Sequence, residues 1–263
     1  MGLFAALQMY DLPELSPSWD RLWNAVHDAL LAKGIRCEPE LRRPLDYHEP
    51  WSDAALILGQ TCGWPYVSEV GRSNTLLGVF DFGLNTPVAG EYHSVFVVSP
   101  ELADRTAAQL LADPDVRIAV NSLHSQSGYR VLGELASAPV KLHRKRYIDS
   151  GGHRSSLRMV ASGEAHLAAI DAVTWEFLKR HDPNVTRIAI LGRSRPAPGL
   201  PLICSNENAR HGETVREAVA KAISQLEKAD RDALMLKGLA PASASRYQQL
   251  LLQPFGNLAF APA

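Results

Sequence analysis

The sequence has few cysteines, no excess of either charge and no long apolar run. Each shortage removes a class of function. Its 3 cysteines, Cys37, Cys62 and Cys204, are far apart and odd in number. Without a CxxC pair they suggest neither a disulfide framework nor a cysteine-based zinc site. Lys and Arg total 27 against 28 Asp and Glu, a formal net charge of -1. That leaves no basic surplus to neutralise a nucleic-acid backbone. No stretch approaches the roughly 18 consecutive apolar residues of a membrane helix. The apolar start, Leu3–Tyr10, has no basic flank and is too short for a secretory leader with its cleavage site. Familiar catalytic patterns are missing too: no GxSxG elbow, Walker A loop or HExxH, and no GxGxxG after the first strand. His143 and His153 are too far apart for a helical metal pair. Neither a metal nor a cofactor is expected.

What is present is ordinary globular composition, with 46% apolar and 21% charged residues over 263 positions, enough for one large domain or two lobes. Strand and helix patterns alternate. Leu3–Met9 reads as a buried strand. Ser16-Pro17 offers an N-cap and first-turn proline to a helix whose stripe is Trp19, Leu22, Trp23, Val26 and Leu30, with Gly34 as its stop. Further strands are expected at Ala54–Leu58, Leu76–Phe80, Ser94–Val98, Val116–Val120, Tyr147-Ile148, Leu167–Ile170, Arg187–Leu191 and Leu202–Cys204. Helices are expected at Asp104–Leu111, Ser127–Leu135, Ser156–Ala161, Val173–Arg180, Thr214–Leu226 and Ser243–Leu251. This alternation predicts an α/β protein with parallel sheets covered by helices on both faces. Two sets of βαβ units, followed by C-terminal helices with no strand after them, suggest two lobes.

The chemistry concentrates where a buried strand gives way to a polar loop, the position at which open α/β sheets take ligands. After the strand ending at Val120 comes Asn121-Ser122-Leu123-His124-Ser125-Gln126-Ser127-Gly128. Ser125 and Ser127 offer hydroxyls, and the N–H groups of Gln126–Gly128 at a helix start would face an anion. The same serines would equally serve as plain helix caps. In Gly151-Gly152-His153-Arg154-Ser155-Ser156, His153 is placed to donate a charge-assisted hydrogen bond or to sit solvated in a glycine turn. Gln60-Thr61-Cys62-Gly63 ends another apolar run. Gln60 and Thr61 offer polar contacts there, while Cys62 lacks any base that would activate it. Asp171 follows a strand directly and suits either a ligand's hydrogen or the cap of the helix after it. Leu142–Arg146 and Arg42-Arg43 read as solvated charge, and Arg193 is left unoriented.

These loops in this order resemble the phosphate, phosphite and phosphonate substrate-binding family of ABC importers, the PhnD-like proteins. The resemblance runs through Gln8–Glu14, Gln60–Pro65, Tyr92-His93-Ser94-Val95, Asn121, Ser125-Gln126-Ser127-Gly128, Gly152–Leu157 and Ala169–Trp175. It implies a type II periplasmic-binding-protein fold of two Rossmann-like lobes joined by two crossover segments. Residues 1–92 plus 199–263 would form one lobe and 93–198 the other, with a ligand cleft between them. It implies ligand contacts at Tyr10, Tyr92, Ser125, Gln126, Ser127, His153 and Asp171. Gln60, Thr61, Asn121, Gly128 and Ser155 complete the expected set. The implied partners are a small oxyanion such as phosphonate, phosphite or phosphate, and an ABC permease, with the chain itself monomeric.

Two departures qualify the ligand. Phosphonate binders usually carry Ser-Thr-Ser-Gly where this chain has Gln126 in place of the threonine. Trp64, Tyr66 and Trp175 would give the cleft an aromatic wall suited to a larger ligand. The absent leader leaves both periplasm and cytoplasm open. Two alternatives stand beside the binding protein. One is a cytoplasmic enzyme on the same fold, similar to chorismate dehydratase, with Asp171 or His153 as acid or base. The other is a ligand-sensing module.

Overall fold

A computed structural model describes residues 2–135, 140–252 and 258–261, with side chains left out at 140–144 and 258–261. The chain forms two compact units, one of Met1–Glu91 with Pro198–Leu251, the other of Tyr92–Ala197 with Leu252–Ala263.

Unit 1 begins with β1 (Phe4–Ala6), then α1 (Ser16–Leu31), β2 (Leu56–Gln60), α2 (Gly63–Ser68) and β3 (Asn74–Asp81). In α1 the expected stripe Trp19, Leu22, Trp23, Val26 and Leu30 is buried. Each such side chain contributes about 1.5–3 kcal/mol on burial. Pro17 sits in the first turn, but the N-cap is Leu15. Ser16 donates its hydroxyl to Asp11 Oδ1 at 2.6 Å instead of capping. Gly34 takes φ +78° just past the helix, a conformation costly for any side chain with a Cβ.

The chain leaves unit 1 through β4 (Glu91–Tyr92). Unit 2 then holds β5 (Ser94–Val98), α3 (Ala107–Ala112), β6 (Ile118–Val120), β7 (Val140–His143), β8 (Tyr147–Asp149), α4 (His153–Ser162), β9 (Leu167–Asp171), α5 (Ala172–His181) and β10 (Ala189–Arg193). It returns through β11 (Ala197–Pro198) to β12 (Pro201–Ser205), α6 (Gly212–Gln225), α7 (Lys228–Ala233), β13 (Gly238–Ala240) and α8 (Ala244–Leu252). The last strand is β14 (Leu258–Ala261). None of the described helices is long and apolar enough to cross a membrane.

The α/β class is as expected, but the sheets are mixed rather than parallel. Unit 1 orders its strands β1-β2-β12-β3-β13. Only β1 and β2 are parallel; β12 opposes β2 and β3, and β13 opposes β3. Unit 2 orders them β10-β5-β9-β6-β8. There β9, β6 and β8 run parallel, while β5 opposes β9 and β10. The cause is where the chain crosses. β3 ends at the outgoing crossing and β12 begins at the returning one, so Val79 faces Pro201 across an antiparallel ladder. Likewise β5 starts and β10 ends at a crossing, pairing Val95 with Arg193. The reading of the C-terminus as helices alone also fails. β13 joins the unit 1 sheet, and β14 pairs with β7 in unit 2, whereas residues 199–263 were all expected in the first lobe.

The core of unit 2 gathers Phe96, Val98, Leu110, Leu111, Ile118, Val120, Leu132, Tyr147 and Leu167. Arg146 closes it from one side. Its guanidinium is buried and donates to the carbonyls of Val116 (2.9 Å), Leu111 (2.8 Å) and Leu110 (3.0 Å). Leu110 and Leu111 lie in the last turn of α3, whose carbonyls lack helical partners. The basic run was expected to be a solvated face, and for Arg146 that is wrong. Lys145 is exposed, and the side chains of Leu142, His143 and Arg144 lie outside the described residues. Arg42 departs from the same expectation: it bonds Glu38 and stacks over the Phe4 ring at 3.7 Å.

Candidate functional site

In unit 2 the parallel strands β6, β8 and β9 end beside one another, and their following loops carry most of the expected binding residues. Beyond β6 the predicted helix Ser127–Leu135 does not form. Residues 123–129 are turns, followed by a 3-10 segment, Arg130–Leu135. The serines themselves divert the backbone. Ser122 Oγ accepts from the His124 N–H at 3.1 Å, and Ser125 Oγ accepts from the Gly128 N–H at 3.0 Å. Such local bonds compete with a helical ladder. Arg130 N and Val131 N then reach back five residues, to Ser125 O and Gln126 O. The amide of Gly128 is therefore turned inward to Ser125 rather than outward as an anion donor.

The loop is nonetheless held firmly. Ser125, Gln126 and Ser127 are buried. Ser94, at the start of β5, donates its hydroxyl to the Ser127 carbonyl at 2.9 Å. Asn121 lies against Gly128 so closely that a Cβ there would fall 1.8 Å from Asn121 Oδ1 and 3.0 Å from His153 Cε1. Glycine is what permits the three residues to meet. Asn121 Oδ1 is a buried acceptor with no partner among the described residues.

His153 opens α4, and its Nε2 lies 3.0 Å from Ser127 Oγ. Burial pushes the imidazole down to about 4, with the Ala169 backbone pulling weakly the other way. The ring is then neutral at pH 7. Nε2 and Ser127 Oγ share one hydrogen bond, in which either can donate according to the tautomer. The charge-assisted donor expected at His153 is thus replaced by a neutral hydrogen bond, because the ring is desolvated. The sign of the pH effect follows. An unfolded histidine titrates near 6.5, so between there and about 4 the unfolded chain binds more protons. This contribution to stability is complete above the unfolded value and is lost as pH falls toward the folded one. Between pH 7 and pH 5, wild type should lose about 1–2 kcal/mol more than a His153→Gln variant, read from urea midpoints. Equal losses would contradict the assignment.

The α4 entry is anchored from both sides. Ser150 Oγ and Ser156 Oγ are 2.6 Å apart, and Ser150 also bonds the Val120 carbonyl. Arg154 and Arg158 both donate to Asp182 Oδ2, at 3.1 and 2.8 Å, and the Asp182 side chain is fully buried. Of the expected serine pair, Ser156 faces in and Ser155 is exposed. Asp171 ends β9 and caps α5, its Oδ1 accepting from Val173 N (2.8 Å) and Thr174 N (3.2 Å). The capping role weighed for it is therefore present. Tyr92 is buried at the start of this unit. Arg193 is exposed on β10.

Unit 1 carries the remaining candidates. Gln60 ends β2 with no exposure, and Thr61 follows it, equally enclosed. Tyr10 is buried edge-on to Phe82, ring centroids 5.1 Å apart. Cys62 is buried and precedes α2. Tyr66 packs edge-on against Tyr247 inside unit 1, and Trp175 is buried in α5 of unit 2. Sequence reasoning assigns no part to Asp182 and Trp51, and Gln8 and Ser94 enter it only among the residues that carry the resemblance. Trp51 donates its indole N–H to the Gln60 carbonyl at 3.0 Å, and a lone tryptophan among polar residues was its only signal. Among the described residues no group of His, Cys, Asp and Glu could hold a metal ion.

Two α/β units linked by paired crossings, with hydroxyl-rich loops beyond the ends of their strands, define a solute-binding protein architecture. The family model "ABC transporter, phosphonate, periplasmic substrate-binding protein" matches residues 65–249, and the chain belongs to that family. The fold is similar to PhnD1 from Prochlorococcus marinus in complex with methylphosphonate (TM-score 0.70, 17% identity, 95% of this chain and 96% of that one). It is also similar to a binding protein component of an ABC phosphonate transporter from Pseudomonas aeruginosa (TM-score 0.71, 16% identity, 95% and 85% covered). A third similar structure is XAC2383 from Xanthomonas citri bound to ATP (TM-score 0.68, 18% identity, 95% and 96% covered). No curated protein sequence matches the chain.

Proposed function

We propose that this chain binds a small phosphonate-type oxyanion at the loops of unit 2 and delivers it to an ABC permease, without transforming it. The observation that carries the reading is the cluster beyond β6 in which buried Ser127 and Gly128 meet the half-buried Asn121 and His153. Ser125, Gln126 and Ser127 would supply the loop's hydrogen bonds to the ligand oxygens. Tyr92 and Asp171 would border them. Ser155, being exposed, would take no part until the loop moves. The near-zero net charge favours a small ligand over nucleic acid, and the protein would act as a monomer.

The Ser127–His153 pair raises the question of catalysis, because serine beside histidine is also a nucleophile and its base. A base works best with a pKa near the operating pH. At about 4 His153 is far too weak a base to activate a serine at pH 7. Asp171 is engaged by backbone N–H groups. Both observations favour binding over turnover. Calorimetric titration with phosphate, phosphite, methylphosphonate and 2-aminoethylphosphonate tests the reading, with mass spectrometry of each ligand afterwards. At least one should bind and be recovered unchanged. Silence with all four, or a converted product, would overturn it.

A further inference from the structure

The unmet oxygen of Asn121 sets a condition on the ligand. We infer that Asn121 accepts a hydrogen bond from the ligand's own P–OH group, so that the loops beyond β6 take the singly protonated monoanion of a phosphonate or phosphite and reject oxyanions that carry no proton, such as sulfonates. This deepens the reading above and rests on it, and it involves unit 2 alone.

Asn121 follows β6 directly, and its Oδ1 is buried with no partner among the described residues. The atom is closely held against the loop: a Cβ on Gly128 would fall 1.8 Å from it. An amide oxygen can only accept, and one left buried and unmet costs about 1–3 kcal/mol. The backbone donors that follow in the loop are engaged elsewhere. Gly128 N–H donates to Ser125 Oγ at 3.0 Å, while Arg130 N and Val131 N donate to Ser125 O and Gln126 O. A purely structural residue of this size would be leucine, which leaves no oxygen behind.

The groups around this oxygen have the opposite need. Ser125 Oγ accepts from Gly128, which leaves its own hydrogen to donate. Ser127 Oγ shares a single hydrogen bond with His153 Nε2 at 3.0 Å. Hydroxyls suit the bare oxygens of an anion, whereas Asn121 Oδ1 suits only a hydrogen. A singly protonated phosphonate offers both in one small tetrahedral group, with two bare oxygens and one P–OH.

The charges agree. His153 is neutral at pH 7, because burial pushes its imidazole down to about 4. Arg154 is held by Asp182. Residues 121–130 contain one arginine and no lysine. That arginine, Arg130, is lowered to about 10 by burial and keeps its charge at pH 7. Asp171, at the end of the adjacent strand β9, adds a negative charge. Enclosing a second negative charge on the ligand is costly in such surroundings.

The test compares methylphosphonate with methanesulfonate at pH 6, by calorimetry on the intact protein. Both are then tetrahedral monoanions with one methyl group, and only the phosphonate has an O–H. Wild type should bind methylphosphonate about 10- to 100-fold more tightly, the worth of the hydrogen bond and of the oxygen otherwise left unmet. In Asn121→Leu, which keeps the branched shape, that preference should shrink by about tenfold or more. A wild-type ratio near 1, which needs no variant, overturns the inference. So does a preference that a folded Asn121→Leu protein, checked by its melting curve, leaves unchanged. If neither anion binds, and phosphite and phosphate do not either, the oxyanion reading itself has failed, a result distinct from equal binding of both.

Discussion

Ser127→Ala should weaken binding of methylphosphonate by about 10- to 100-fold, the cost of a lost hydrogen bond together with a buried group left unmet. The substitution does two things. It removes a hydroxyl from the enclosed loop beyond β6, and it takes away the partner of His153 Nε2 at 3.0 Å. Because the two side chains act through one hydrogen bond, their effects should not add. Ser127→Ala with His153→Ala should lose little more than the worse single variant. Titration of the four proteins in a double-mutant cycle measures this. Independent losses would show that serine and histidine meet the ligand separately, and a Ser127→Ala affinity within twofold of wild type would remove Ser127 from the site.

The largest effect on stability is expected away from the ligand, at Arg146. Its guanidinium holds three carbonyls from the end of α3 and the start of β6's approach, at 2.8–3.0 Å. Arg146→Met keeps the length of the stem and removes every donor. The carbonyls of Leu110, Leu111 and Val116 are then left beside an apolar chain. Three such losses amount to about 3–5 kcal/mol. At roughly 2–4 °C per kcal/mol for a protein of this size, melting should fall by about 10 °C. Arg146→Lys, with a single point of donation, should recover only part of it. A melting point within 2 °C of wild type would mean that water takes the place of the guanidinium.

Arg146 also shows where the sequence was hard to read. In Leu142–Arg146 it is one of four basic or imidazole residues in a row, and such runs are usually solvated. Nothing local distinguishes the one that turns inward, because its partners lie about 30 to 36 residues earlier. Patterns that depend on near neighbours fared better. Ser94–Val98 is β-branched and ends before Pro100, and the strand has those limits. The α1 stripe was legible because burial on one helix face imposes a period. Sheet direction was not, since it depends on where the chain crosses between units, and the alternation of strands and helices carries no trace of that. The serine loop failed for a different reason. Its residues were placed correctly beyond a strand, but serine both caps helices and replaces them with turns. Only the bonds of Ser122 and Ser125 to nearby amides decide between the two. The family resemblance was carried by loop residues spread from Gln8 to Trp175, none telling alone, and it overlaps the stretch 65–249 matched by the family model.

The account stands on one claim, that the enclosed loops of this chain bind a phosphonate-type oxyanion. Calorimetric titration with methylphosphonate at pH 7 tests it most directly. The prediction is a single saturable site with a Kd of about 1 μM or tighter, equivalent to some 8 kcal/mol, weakened about 10- to 100-fold in Ser127→Ala. Absence of heat with methylphosphonate, phosphite, phosphate and 2-aminoethylphosphonate alike would contradict it, as would saturable binding that the Ser127→Ala and His153→Ala variants leave unchanged.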